Sequence, residues 1–233
     1  GRCSVIPARV LGAAKRGERR VGVGSVANID AGMKRLVDLG VKVINMSFGT
    51  PLSQLTAGEP FPHTEVVRYA LSRGVILVAA SGNSGLKEPY YPAALPGVIA
   101  VGAVNAKGEP ARFATRGAHV ALCAPGEGIW TCGLYAPPGP GLLAPNARPS
   151  AWQRANGTSF AAPFVSAACA LLAARADARA WPLAAAKVRE LLMQSTRAFG
   201  LGGVEDLGTG VLDVCAALRA LDNWIDSQDD YAS

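Results

Sequence analysis

Two apolar runs, Val41-Lys42-Val43-Ile44-Asn45-Met46 and Val75-Ile76-Leu77-Val78-Ala79-Ala80, flank the helical pattern Thr64–Arg73, which closes on Gly74. Near-continuous apolar runs, unlike alternating ones, are what strands need when both faces of their sheet are covered. A strand, a helix and a second strand in that order form one strand-helix-strand unit, which places the two strands parallel.

Outward from this unit the pattern repeats. Further strand candidates are Val5–Leu11, Val98–Val104 and Val120–Ala124, and further helix candidates are Ser25–Leu39, Ser159–Ala174, Leu183–Ser195 and Leu212–Leu221. Gly40, Gly74 and Gly200 stand where carboxyl-terminal helix caps belong. The fold class is therefore α/β: a three-layer sandwich with a mainly parallel central sheet and helices on both faces. Between about residues 132 and 156 the chain is rich in Pro and Gly without periodicity, and it reads as an irregular surface insertion. No repeat or linker divides the 233 residues, so a single domain over 1–233 is expected.

Half of the residues are hydrophobic and 17% charged, enough to bury a sizeable core. The net charge of +6 includes one dense basic run, Lys15-Arg16-Gly17-Glu18-Arg19-Arg20, which reads as a loop. Nucleic-acid binding would gather basic residues on one face with aromatics for stacking, but only 6% of the chain is aromatic and the other Arg are scattered. The apolar stretch Phe160–Ala174 holds Pro163 and Ser166 and is too short for a bilayer, so no membrane span is expected. Five cysteines, Cys3, Cys123, Cys132, Cys169 and Cys215, include no C-x-x-C pair; Cys3, Cys123 and Cys169 read as small buried hydrophobes.

Chemistry concentrates at Asn156-Gly157-Thr158-Ser159-Phe160-Ala161-Ala162-Pro163, a tight turn into a long apolar helix. Ser159 thereby meets free backbone N–H groups and a helix dipole that favour developing negative charge. A serine so placed also serves as an ordinary helix cap.

The stretch Gly157–Pro163 resembles the serine motif of the subtilisin-like proteases. Val43-Ile44-Asn45-Met46-Ser47-Phe48-Gly49 resembles that family's substrate-binding strand, and Val78-Ala79-Ala80-Ser81-Gly82-Asn83-Ser84-Gly85 its oxyanion-asparagine segment. Tyr91-Pro92-Ala93, Val98–Ala103, Cys123-Ala124-Pro125-Gly126 and Gly208–Asp213 continue the pattern to its closing helix. The resemblance implies Ser159 as nucleophile, with the Asn83 amide and the Ser159 N–H holding the oxyanion. It also implies that Ser47, Phe48 and Gly49, with Ala80, Ser81 and Gly82, receive an extended peptide and wall the pocket for the side chain before the cleaved bond. Gly49 and Gly82 suggest an open slot that tolerates large apolar groups. The chemistry requires no cofactor. Calcium sites are frequent in the family, but nothing here has the spaced carboxylates of a dedicated calcium loop.

Family members carry Asp, then His, then Ser, and the first two motifs precede the segment resembling Val5–Leu11. The expected partner is thus the protein's own amino-terminal segment carrying Asp and His, and the substrate a peptide or protein. Asp30, His63 and Ser159 do fall in the family's order. However, Asp30 lies inside a helical pattern, where a solvated residue is expected, and His63 lacks the His-Gly-Thr-His context and sits in a lengthened loop bordering the cleft. His119 reads as a structural imidazole at a turn. Phe164 stands where many members have a histidine. Gly22-Val23-Gly24-Ser25-Val26-Ala27 matches a dinucleotide fingerprint but follows a charged loop, not a strand. The sequons at Asn45 and Asn156 fall where sugar would block the strand end and the nucleophile turn. A secreted or periplasmic location is implied by the family alone. The competing reading is a catalytically incomplete module of the same fold that binds peptides or partners.

Overall fold

The structure, a computed structural model, describes residues 3–16, 19–132, 152–200 and 205–232. Its centre is a four-stranded parallel sheet in the order β3-β5-β7-β8, formed by Val43–Met46, Ile76–Ala80, Ile99–Val104 and Val120–Pro125. Strand β5 is buried at every position, and the two-residue period of a strand divides it between two cores. Ile76, Val78 and Ala80 enter one apolar cluster, Leu77 and Ala79 the other.

Helices α1 (Val26–Asp38) and α2 (Thr64–Ser72) cover the second cluster with Ile29, Met33, Val37, Val66, Val67 and Ala70. Helices α3 (Thr158–Ala178), α4 (Ala185–Gln194) and α5 (Val214–Ala232) cover the first. The result is the expected three-layer α/β arrangement. By length and composition α3, at 21 residues, could cross a membrane, which its apolar run of 160–174 alone could not; it is instead a core helix laid over all four strands. Its sheet side is built of Ala161, Ala162, Val165, Ala168 and Cys169, small enough to let helix and sheet approach closely. Arg175 and Arg179 then reach Asp222 and Asp226 of α5 at 2.8 and 2.6 Å.

Local signals set the helix ends. Ser25 Oγ accepts from the Asn28 N–H at 3.2 Å as the cap of α1. Gly40 and Gly74 follow α1 and α2 with φ of 75° and 73°, the left-handed conformation that closes a helix. Gly200 is no such cap: α4 ends at Gln194, and Gly200 N–H donates to the Gly108 carbonyl.

Other expectations are corrected. Val5–Leu11 forms no ladder; Val5 is exposed, while Val10 and Leu11 pack onto the α1 core. Lys15, Arg16, Arg19 and Arg20 of the basic run instead lie in two antiparallel strands, β1 (Gly12–Arg16) and β2 (Arg19–Val23), with Arg16 opposite Arg19. Two further pairs are set by contacts between distant segments. Strand β4 (Thr50–Pro51) meets β6 (Tyr90–Tyr91), and β9 (Ile129–Cys132) meets β10 (Trp152–Ala155) at the root of the predicted insertion. Residues 133–151 of that insertion lie outside the described residues.

Candidate active site

Because β3 and β5 are parallel neighbours, their carboxyl ends emerge side by side, and the segments that follow, Ser47-Phe48-Gly49 and Ser81-Gly82-Asn83, share one edge of the sheet. Such edges are where open α/β sheets bind ligands. The amino terminus of α3 points at the same place, so the three segments singled out in the sequence converge.

Thr158 joins two of them. Its N–H donates to Asn83 Oδ1 at 2.8 Å, and its hydroxyl lies 3.0 Å from Asn83 Oδ1 and 3.2 Å from the Gly82 carbonyl. The Gly82 N–H donates back to Thr158 Oγ1 at 3.3 Å. With the Asn83 carbonyl so occupied, its amide N–H groups are left for the pocket that Asn83 lines with Ser159. The preceding Gly157, with φ of 152°, takes a backbone conformation that side chains rarely adopt, and its N–H donates to the Gly126 carbonyl. Thr158 is wholly buried; it stood within the serine motif, but its role depends on Asn83, 75 residues away.

Ser159 is half-buried in the first turn of α3 and is tied to Ser47 in both directions. Its hydroxyl donates to the Ser47 carbonyl at 3.1 Å, and the Ser47 hydroxyl donates to the Ser159 carbonyl at 2.8 Å. Asn45 Nδ2 donates to Ser47 Oγ at 2.8 Å, and Ser166 Oγ donates to Asn45 Oδ1 at 3.0 Å, so α3 and the end of β3 are stitched at several points.

A cavity of about 270 Å³ opens beside Ser159. Phe48 and Gly49 line one side and Ala80 and Gly82 the other, with Tyr90 between. Ser81 turns away; it is fully buried and donates to the Thr115 carbonyl at 3.2 Å. Tyr90 narrows the open slot expected from the two glycines. A Cβ on Gly82 would lie 2.6 Å from the Tyr90 ring, and one on Gly49 would lie 3.4 Å from it. Tyr90 arrives through the β4–β6 ladder, which no local pattern announced.

The two histidines lie elsewhere. His63 is only 4% exposed, has a left-handed backbone with φ of 68°, and donates from Nδ1 to Asp30 Oδ1 at 2.5 Å. Asp30 is therefore not simply a solvated helix residue: it ties α1 to the start of α2. The His63 ring stands edge-on to Phe48 at 5.7 Å, behind the pocket wall, and no described hydrogen bond joins it to Ser159. His119 sits at the turn into β8. Burial lowers its pKa, a hydrogen bond to the Ser81 backbone opposes this, and its buried Nε2 has no partner among the described residues. Cys123 and Cys169 are buried, and the same desolvation pushes both thiols up to about 12, whereas Cys3, expected inside, is exposed.

Comparison with known proteins agrees with this arrangement. A family model described as the subtilase family matches residues 8–213. The chain is 33% identical over 211 residues to the M-protease of Shouchella clausii (strain KSM-K16), covering 91% of this chain and 47% of that protein. It is also 33% identical over 211 residues to Subtilisin Savinase of Lederbergia lenta, covering 66% of that relative. This chain thus spans about half to two thirds of the curated relatives it matches. Among solved structures, the prenylagaramide maturation protease PagA superposes with a TM-score of 0.71 at 27% identity, covering 86% of this chain and 69% of the other. The self-cleaved protease domain of PatA gives 0.69 at 32%, covering 85% and 69%.

Proposed function

The chain belongs to the subtilase family, and from that premise we propose that it is the serine-bearing part of a serine endopeptidase whose general base comes from a preceding segment of the same protein. The observation that carries this is the seating of Asn83, whose carbonyl is held by Thr158 so that its amide shares a pocket with Ser159. In the reaction, Ser159 Oγ attacks the scissile carbonyl carbon and passes its proton to the imidazole of the upstream histidine. The carbonyl oxygen, now anionic, is held by the Asn83 amide and the Ser159 N–H at the positive end of α3. Collapse expels the amine, which takes the proton, and water then releases the acyl group from Ser159. No cofactor takes part in these steps. Ser47-Phe48-Gly49 would pair with the extended peptide backbone. We place the protein outside the cytoplasm, secreted or periplasmic, on the family resemblance alone.

The test is labelling of the full-length protein by a fluorophosphonate probe. Ser159 is expected to carry the adduct, Ser159→Ala to carry none, and Asn83→Ala to turn over peptide about 10²–10³-fold more slowly, the range known for the corresponding subtilisin donor.

A second reading has its own support. The Ser159 hydroxyl is engaged by the Ser47 carbonyl, and His63 by Asp30, which suits a catalytically incomplete module that holds peptides in the same cleft. Peptide binding by a full-length protein that neither labels nor cleaves would select it.

A further inference from the structure

We propose that Tyr90 sets which side chain this protein accepts before the bond it cleaves, restricting that position to small, uncharged residues. The inference rests on the proteolytic reading above. The geometry is that of a ring spanning two walls. Tyr90 Cδ2 and Cε2 lie 2.6 Å from where a Gly82 Cβ would be, and Cδ1 lies 3.4 Å from where a Gly49 Cβ would be. Opposite ring edges therefore face the two glycines, and at Gly82 the ring occupies the space a side chain would need. Gly82 is doubly constrained, with φ of +112° and Thr115 Oγ1 2.7 Å from its Cβ position. Pairing of Tyr90 with Pro51 and of Tyr91 with Thr50 fixes the backbone that delivers the ring.

A side chain entering past Ser159 meets that ring. The cavity that remains is about 270 Å³, and it must also admit the scissile carbonyl between Ser159 and Asn83. None of the lining residues is charged. A Lys, Arg, Asp or Glu side chain would lose its hydration there without gaining a counter-charge.

The experiment compares hydrolysis, by the full-length protein, of peptides that differ only in the residue before the scissile bond, Ala, Phe or Lys. It uses the wild type, Tyr90→Gly and Tyr90→Phe. The wild type should prefer Ala over Phe in kcat/KM by about 10–100-fold, the scale on which pocket shape discriminates. Tyr90→Gly should collapse or reverse that ratio through the KM of the Phe peptide, and Tyr90→Phe should keep it, because the ring and not the hydroxyl fills the pocket. An unchanged ratio in Tyr90→Gly, or a wild type that cleaves after Phe or Lys as readily as after Ala, overturns the assignment while Ser159 still labels. Should no peptide be cleaved and Ser159 take no probe, the proteolytic reading falls and the Tyr90 assignment with it.

Discussion

Ser47 supplies Ser159 with the hydrogen-bond donor that its own helix cannot. In an α-helix the Ser159 carbonyl would accept from the N–H of residue 163, but residue 163 is proline and has none. The Ser47 hydroxyl fills that place at 2.8 Å, so a helix defect in α3 becomes a bond between the first turn of α3 and the end of β3. Ser47→Ala should cost about 1–3 kcal/mol, the penalty for leaving such an acceptor unmet, and should slow probe capture by Ser159. Pro163→Ala restores the helical N–H. In a double-mutant cycle the loss from Ser47→Ala should therefore shrink when Pro163 is replaced, as melting temperatures would report; strict additivity would refute this pairing.

Thr158 is the second such fastening, and its hydroxyl and N–H do separable work. Thr158→Val keeps the N–H to Asn83 but removes the hydroxyl contacts to Gly82 and Asn83 in a fully buried position. Turnover should fall because the Asn83 carboxamide is then held by the Thr158 N–H alone, with KM changed less than kcat, whereas Thr158→Ser should recover most of the rate. A Thr158→Ser variant that loses the rate while Thr158→Val keeps it would mean that the methyl packing, not the hydroxyl, matters here.

What the sequence disclosed was what is local. Ser25, Gly40 and Gly74 end helices through contacts within a few residues, and the β5 and β7 runs are apolar because both sheet faces are covered. Val5–Leu11 has the same composition, but a strand also needs a neighbour to pair with, and composition carries no information about that. Tyr90 lies eight residues from Gly82 and 41 from Gly49, and only the β4–β6 ladder sets its ring between them. Asp30 and His63 follow the same logic. Sequence order suggested a catalytic couple and helix context a solvated residue, whereas the fold makes them a bond between α1 and α2.

That bond gives a clear division between stability and catalysis. His63 is buried with its Nδ1 on Asp30, so Asp30→Asn or His63→Ala should destabilise the fold by about 1–3 kcal/mol, as expected when one partner of such a pair is lost. Fluorophosphonate labelling of Ser159 should persist in both variants, because the couple stands behind Phe48 and bonds elsewhere. Abolished labelling in a protein that still melts cooperatively would make His63 the general base after all.

His119 should make the fold acid-sensitive in a window that the carboxylates do not reach. Burial lowers its pKa below the ordinary 6.5, against a smaller opposing hydrogen bond to the Ser81 backbone. Between the lowered value and 6.5 the unfolded chain binds a proton that the folded chain refuses, so stability is fully present above the unfolded pKa and declines as pH falls below it. Asp38 and Asp222, with carboxyl pKa values lowered by Lys34 and Arg175, add losses only at more acid pH, below the ordinary carboxylate value of 3.8. The melting temperature should therefore drop between about pH 7 and pH 5, a window bracketing the ordinary histidine value, and His119→Gln, which cannot titrate, should flatten that slope. A variant with the wild-type slope would assign the acid sensitivity to another group, and a melting temperature that rises on acidification would contradict the burial of this ring.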